Sequence, residues 1–262
     1  MTGMVTQGKF WRAAGRFARI LYPPAVVLCA WKGLCLLGLF PAAILVPPET
    51  VLSTFLELAR SGEIQDALAA SARRVLLGFA FGGAVGLTFG VAIGLSHRFE
   101  SYVGWLFETV RQIPSIAWAP LLIMIFGIQE TFKIVLIAKA AFFPVALNTF
   151  DGVRGVPRQY REVAEIYGLS YASLLRRVIF PAALPSIVTG LRLGLSRSWM
   201  VLVAAELFAS SVGIGHMMDW GRQLFQIDIV MVGIVVIGLI GFALDKGLRY
   251  GESRLQRGRG AV

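Results

Sequence analysis

Six apolar stretches dominate this sequence: Ile20–Phe40, Val75–Leu95, Val103–Phe126, Thr131–Phe150, Ile187–Ala209 and Ile227–Leu244. Each reaches roughly the ~20 residues that an α-helix needs to cross a hydrocarbon core about 30 Å thick. In that solvent every backbone N–H and C=O must find a partner inside the protein, so stretches of this kind read as helices. The expected fold class is therefore all-α, integral to a membrane, with six spans. Composition agrees, because only 15% of residues are charged and 56% are hydrophobic. A soluble domain carries about 25% charged residues.

Charge sets the expected orientation. Four loop or tail segments are basic: Lys9, Arg12, Arg16 and Arg19; His97 and Arg98; Arg154 to Arg177; and Lys246 to Arg259, whereas the loop Pro47–Ala72 carries Glu49, Glu57, Glu63 and Asp66 against Arg60. With six spans, all four lie on one side, which the positive-inside rule makes cytoplasmic. The net charge of +10 is thus a topology signal, and no nucleic-acid partner is expected. The basic start followed by an apolar run mimics a signal peptide. The run continues through Lys32 to about Val46, so it reads as an uncleaved first span. The expected organisation is a cytoplasmic tail 1–19, a six-span domain 20–246 and a basic cytoplasmic tail 247–262. Cys29 and Cys35 are six residues apart and imply neither a disulfide framework nor a metal site.

Between the first two spans, Pro47–Ala72 opens with "PPETVLSTFLELARSG" and spaces Val51, Leu52, Phe55, Leu56 and Leu58 helically. An amphipathic helix at the outer surface or a short packed lid both fit. In the second span, Gly78, Gly82, Gly86, Gly90 and Gly94 recur every four residues. Such a stripe lets another helix approach closely in lipid; a conformational pivot is the functional alternative.

The polar interruption from Asp151 to Ser186 is too long for a turn. Pro157 suits a first helical turn, and Val163, Ile166 and Tyr167 follow at helical spacing. Gly168 suits a left-handed C-terminal position, and Ser170 suits an N-cap. Leu174, Leu175, Val178 and Ile179 give a second apolar face, and Pro181 ends or kinks that helix. The segment reads as helix, glycine turn, helix.

This pattern resembles the cytoplasmic EAA loop of binding-protein-dependent ABC importer permeases. The motif maps to Glu162, Val163, Ala164, then Gly168, then Val178, Phe180 and Pro181, with its spacing kept and with apolar departures at 163, 178 and 180. "RQIPSIAWAPLLIMIFGI", "AFFPVALNTFDGVRGV", "FPAALPSIVTGLRLGLSRSWMVLVAAEL" and "GIGHMMDWGRQLFQIDIV" are similar to the nitrate/sulfonate/taurine branch, across about Pro47 to Arg254. The resemblance implies a six-span MetI-like permease fold in a bacterial inner membrane and a homodimer. It also implies two separate ATPase subunits that bind ATP and Mg, and a soluble binding protein outside. It implies that Glu162, Val163, Ala164, Gly168 and Pro181 belong to the ATPase-coupling element. Glu162 would meet a basic ATPase residue. The chain has no G-x-x-x-x-G-K-[ST] loop of its own. With only His97 and His216, at expected opposite surfaces, no metal site or catalytic residue is expected.

Ionisable groups inside spans are functional candidates by default. They are Lys32, Glu108, Arg111, Lys139, Arg192, Arg197 and Glu206. Lys32 is expected to snorkel or pair, and Glu108 and Arg111, three apart, to pair with each other. A permease for anions needs basic or amide donors that replace hydration. On that ground Lys139 and Arg197 supply a positive field, with Gln112, Ser115, Trp118 and Trp199 lining the pathway and Glu206 near its outer end. Structural pairing, such as Lys139 with Glu206, is the competing expectation. Pro114, Pro120 and Pro144 mark kinks or broken helix, which often line cavities.

The function expected is import of a small anion, a sulfonate, taurine or nitrate-type substrate, by alternating access. A permease for a neutral heterocycle stays open within the family. A secondary transporter would show an internal repeat and midspan acidic pairs. A membrane enzyme would need cooperating carboxylates, and Glu108 and Glu206 lie near opposite faces.

Overall fold

The computed structural model describes residues 22–38, 41 and 44–257. The expected tail 1–19, the span-end residues Ile20, Leu21, Leu39 and Phe40, and the last five residues of the C-terminal tail lie outside the described residues. All regular structure among the described residues is helical. Four helices are long and apolar enough to cross a membrane, or five if one bent pair forms a single span.

The short apolar helix α1 (Tyr22–Leu36) leads into α2 (Pro48–Ser61), which begins with a proline at its first turn and ends at Gly62. Helix α2 is two-faced, packed on one side and with Leu52 and Leu56 exposed on the other, so both expectations for this segment stay compatible with it. Val51 and Leu58 of α2 are buried with Ile64, Val232 and Val236, and Thr54 donates to Asp228 at 2.8 Å. Lys32 pairs with Glu49 at the start of α2.

The first long helix is α3 (Glu63–Leu95), which starts twelve residues before the expected span. Its early part carries charge, so a hydropathy reading misses it, yet Ser71 and Arg74 are buried on the same face as the glycine stripe. That stripe is a close-approach surface. A Cβ at Gly82 would lie 2.0 Å from the carbonyl oxygen of Ala138, and one at Gly90 would lie 2.4 Å from that of Ala146. Both acceptors belong to α6 (Glu130–Arg154), the central helix of the bundle, which packs along α3 on one side and α9 (Phe180–Ala209) on the other. In lipid the surroundings are as apolar as the helix surface, so this contact geometry, rather than hydrophobic burial, holds the pair together.

The third expected span is not straight. Helix α4 (His97–Arg111), capped by Ser96, stops before Pro114. A 3₁₀ turn (Ser115–Trp118) and α5 (Ala119–Phe126) follow, bent 95° from α4. Pro114 has no N–H to continue the ladder and disfavours helical geometry at Ile113.

The polar interruption folds as α7 (Arg158–Ile166), a turn at Gly168 (φ +63°), and α8 (Tyr171–Leu174) capped by Ser170. Pro181 does not end the second helix. A π turn (Leu175–Ile179) precedes it, and the chain continues into α9, making one helical run Tyr171–Ala209. The wider π turn lets the helix pass a residue that cannot donate to the preceding turn. After α9, a short α10 (Ile214–Gln223) leads into α11 (Ile227–Arg257), which extends past the expected span end into the expected tail.

Candidate functional site

The break after α4 opens a cavity of about 700 Å³ between three elements. Residues Arg111 to Ile116 form one wall, α6 contributes Lys139, Phe143 and Asn148, and α9 contributes Leu193 and Arg197. Pro144 on α6 also lines it and cannot donate to the carbonyl of Ala140, another lining residue. Asn148 donates to the Pro144 carbonyl at 2.8 Å. Helix irregularity therefore meets the cavity from two sides.

Its electrostatics are one-signed. Lys139 Nζ stands 5.1 Å from the ring centroid of Trp118 and 5.2 Å from that of Phe143. Such ring faces offer a desolvated ammonium about 0.5–2 kcal/mol but do not neutralise it. Neither Lys139 nor Arg197 has a carboxylate partner among the described residues. Arg111 differs, because Glu108 pairs with it as expected. Gln112, Ser115 and Asn148 add neutral hydrogen-bonding groups. Such a set can receive a small anion through charge-assisted bonds.

Of the pathway residues predicted from sequence, the cavity brings together Gln112, Ser115, Lys139 and Arg197, with the Trp118 ring against Lys139. Trp199 lies elsewhere. Two residues beyond Arg197 is about 200° around a helix, and its indole instead faces α11, with Nε1 3.3 Å from the Ile237 carbonyl.

Glu206 is also elsewhere, and it does not pair with Lys139. Its carboxylate receives Arg74 Nη1 at 2.6 Å, Ser71 Oγ at 2.8 Å and the Gly215 N–H at 2.9 Å. Arg74 also reaches Glu130 through Nε at 2.7 Å and Nη2 at 2.8 Å, and Lys133 joins Glu130 at 2.6 Å. This cluster ties α3, α6, α9 and the start of α10 together. Sequence reasoning missed Ser71 and Arg74 because it began the second span at Val75, and it passed over Glu130 and Lys133, which stand on either side of the expected start of the fourth span at Thr131. The helical spacing of Ser71, Arg74 and Gly78 was the available signal.

The second feature is the surface of the α7 turn. Gly168 takes the left-handed conformation while Leu169 N–H bonds the Ala164 carbonyl at 3.0 Å, closing the helix end. No atom lies within 4 Å of a Cβ built on Gly168, so backbone geometry alone selects glycine. Ala164 is buried. Glu162 and Val163 are exposed, and Ile166 and Tyr167 are 83% and 80% exposed. The end of α7 and the turn after it thus present two large side chains to the surroundings side by side.

Comparison with known proteins gives the family and the fold. The family described as "Binding-protein-dependent transport system inner membrane component" matches residues 82–257. An aliphatic sulfonates transport permease, SsuC of Bacillus subtilis, is 40% identical over 90% of this chain and 86% of its own. The taurine transport permease TauC of Escherichia coli is 39% identical over 91% of this chain and 88% of its own. Among solved structures, a crystal structure of an amino acid ABC transporter superposes with a TM-score of 0.65 at 18% identity, covering 76% of this chain and 98% of that one. The fold is thus that of an ABC importer permease, and by sequence this chain belongs to the binding-protein-dependent transport system inner membrane components, in their sulfonate, taurine and nitrate branch.

Proposed function

We propose that this chain is the transmembrane subunit of an ATP-driven importer for a small anion, of the aliphatic sulfonate, taurine or nitrate type. The observation that carries the substrate class is a pair of cations, Lys139 and Arg197, that have no carboxylate partner among the described residues and share one cavity between membrane-length helices. The names of the sulfonate and taurine permeases related to it favour an organic sulfonate. The chain performs no covalent chemistry in this reading. ATP and Mg are bound by two separate ATPase subunits, and a soluble binding protein delivers the substrate.

The same reading has six spans with both termini in the cytoplasm of a bacterial inner membrane, as the distribution of basic residues favours. A second copy of the chain covers the cavity, because a wall holding Arg197, Gln112 and Ser115 cannot face lipid. Glu162, Val163 and the residues to Gly168 dock on the ATPase. ATP closure then moves these loops, the two permeases open outward, and hydrolysis returns them inward.

Uptake by vesicles holding the complete transporter tests the substrate class. Lys139→Met and Arg197→Met should each lower sulfonate uptake at least about tenfold, the equivalent of one lost charge-assisted bond. Normal uptake with only reduced expression would remove the pathway role. Docking has its own measurement. Val163→Cys should cross-link to the ATPase subunit, and absence of any cross-link from Glu162 to Gly168 would count against coupling through this loop.

A further inference from the structure

The face of α9 that turns towards α11 bears Thr189, Arg192 and Trp199, at helical spacing. Each meets α11. Thr189 Oγ1 donates to Glu252. Arg192 Nη1 lies 3.4 Å from Asp245, and Nε lies 2.7 Å from Glu252 as an ion-pair contact rather than an aligned hydrogen bond. Trp199 Nε1 reaches the Ile237 carbonyl, and a Cβ on Gly241 would stand 3.2 Å from that nitrogen. Asp245 and Glu252 are seven apart, so both carboxylates share one face of α11. Two carboxylates of α11 thus converge on one guanidinium of α9.

The position of this seam matters. Arg192 is next to Leu193 and five residues from Arg197, both cavity residues. In the other direction the helix runs unbroken to Tyr171, with its π turn at Leu175–Ile179. A second face of α9 is locked on α6 by glycines. A Cβ on Gly190 would lie 2.8 Å from Asn148, and one on Gly194 would lie 2.9 Å from Val145. The run is therefore held by close backbone approach on one side and by an ionic clamp on the other. Its most irregular turn lies outside the clamped part. The Arg192 and Glu252 side chains are only 17% and 13% exposed, so their attraction is weakly screened.

We propose that Arg192 is a positioning residue for transport: by holding Asp245 and Glu252 it makes α9 and α11 move as one body, so that a displacement at the α7–α8 loop shifts the cavity wall at Leu193 and Arg197 rather than being taken up by bending of α9 below it. The proposal rests on the reading of that loop as the ATPase contact. Arg192 itself touches no substrate.

The test uses the complete transporter in vesicles and measures substrate taken up per ATP hydrolysed. Arg192→Met should lower that ratio about fivefold or more, the lower end of usual coupling between sites. The Val163→Cys cross-link to the ATPase and the amount of assembled complex should stay unchanged. Arg192→Lys should recover part of the ratio. The exchanged pair Arg192→Glu with Glu252→Arg should recover more than Arg192→Glu alone. An unchanged ratio in Arg192→Met overturns the proposal. So does a fall in uptake that merely follows a loss of assembled complex, which would make the clamp structural only. If Val163→Cys fails to cross-link even with Arg192 intact, the loop reading fails instead, and the two failures are told apart.

Discussion

Replacing Arg74 by methionine should lower stability by about 3–5 kcal/mol, the usual cost of removing one partner from a buried ion pair. The arginine side chain is 6% exposed and its Glu206 partner 0%. Without the guanidinium, Glu206 keeps the Ser71 and Gly215 donors but has no countercharge. The thermal midpoint of the detergent-solubilised chain should fall by on the order of 10 °C, given a few degrees per kcal/mol at this size. The double variant Arg74→Met, Glu206→Gln should recover much of the loss, because it removes the orphaned charge. Arg74→Lys should fall between, since one ammonium cannot supply the separate donors that reach Glu130 and Glu206. An unchanged midpoint in Arg74→Met would show that the cluster does not hold the four elements together.

Gly82→Val should be the most damaging substitution on the glycine stripe. The added Cβ would sit 2.0 Å from one backbone atom of α6 and 2.7 Å from two others, so no side-chain movement relieves it. The two helices must separate along their most extensive contact, at a cost above the usual ~1–3 kcal/mol of overpacking. Gly83→Ala is the matched control. A Cβ there meets only ordinary contacts at 3.9 Å, and alanine favours helix by about 1 kcal/mol. Gly82→Val should therefore lose folded, monodisperse protein on size exclusion, while Gly83→Ala behaves as the unaltered chain. Equal behaviour of the two would contradict the close packing of α3 on α6.

Much of this arrangement was legible in the sequence, for identifiable reasons. The apolar runs located α6, α9 and α11, and the four-residue glycine repeat located the α3 face. Gly168 and Ser170 were readable because a positive φ and an N-cap each have few suitable residues. What hydropathy could not find were polar groups buried by pairing. Arg74 and Glu130 flank the apolar runs, and only the fold shows that Arg74 turns inward. Pro114 announced a break but not its 95° angle, which depends on how α5 packs beside α6. For the candidate site, Lys139 and Arg197 stood out as charges in apolar runs. Trp199 stood out too, but its face of α9 is turned towards α11. Sequence alone leaves open which face of a nearly all-apolar helix looks inward.

The Arg74–Glu206 pair also bears on how the chain is made. Its partners are 132 residues apart, and at about 5–20 residues per second the ribosome needs roughly 7–26 s to pass from one to the other. During that interval α3 has emerged with an arginine whose buried countercharge does not yet exist. Until Glu130 follows, 56 residues after Arg74, the lone guanidinium is drawn to the lipid headgroups, where water can reach it. The helix that later forms one wall of the bundle is therefore held at a provisional depth. Glu130 on α6 brings a first countercharge, and α9 then adds the buried one, Glu206, which makes the last third of synthesis the step that completes the seal on the first long span.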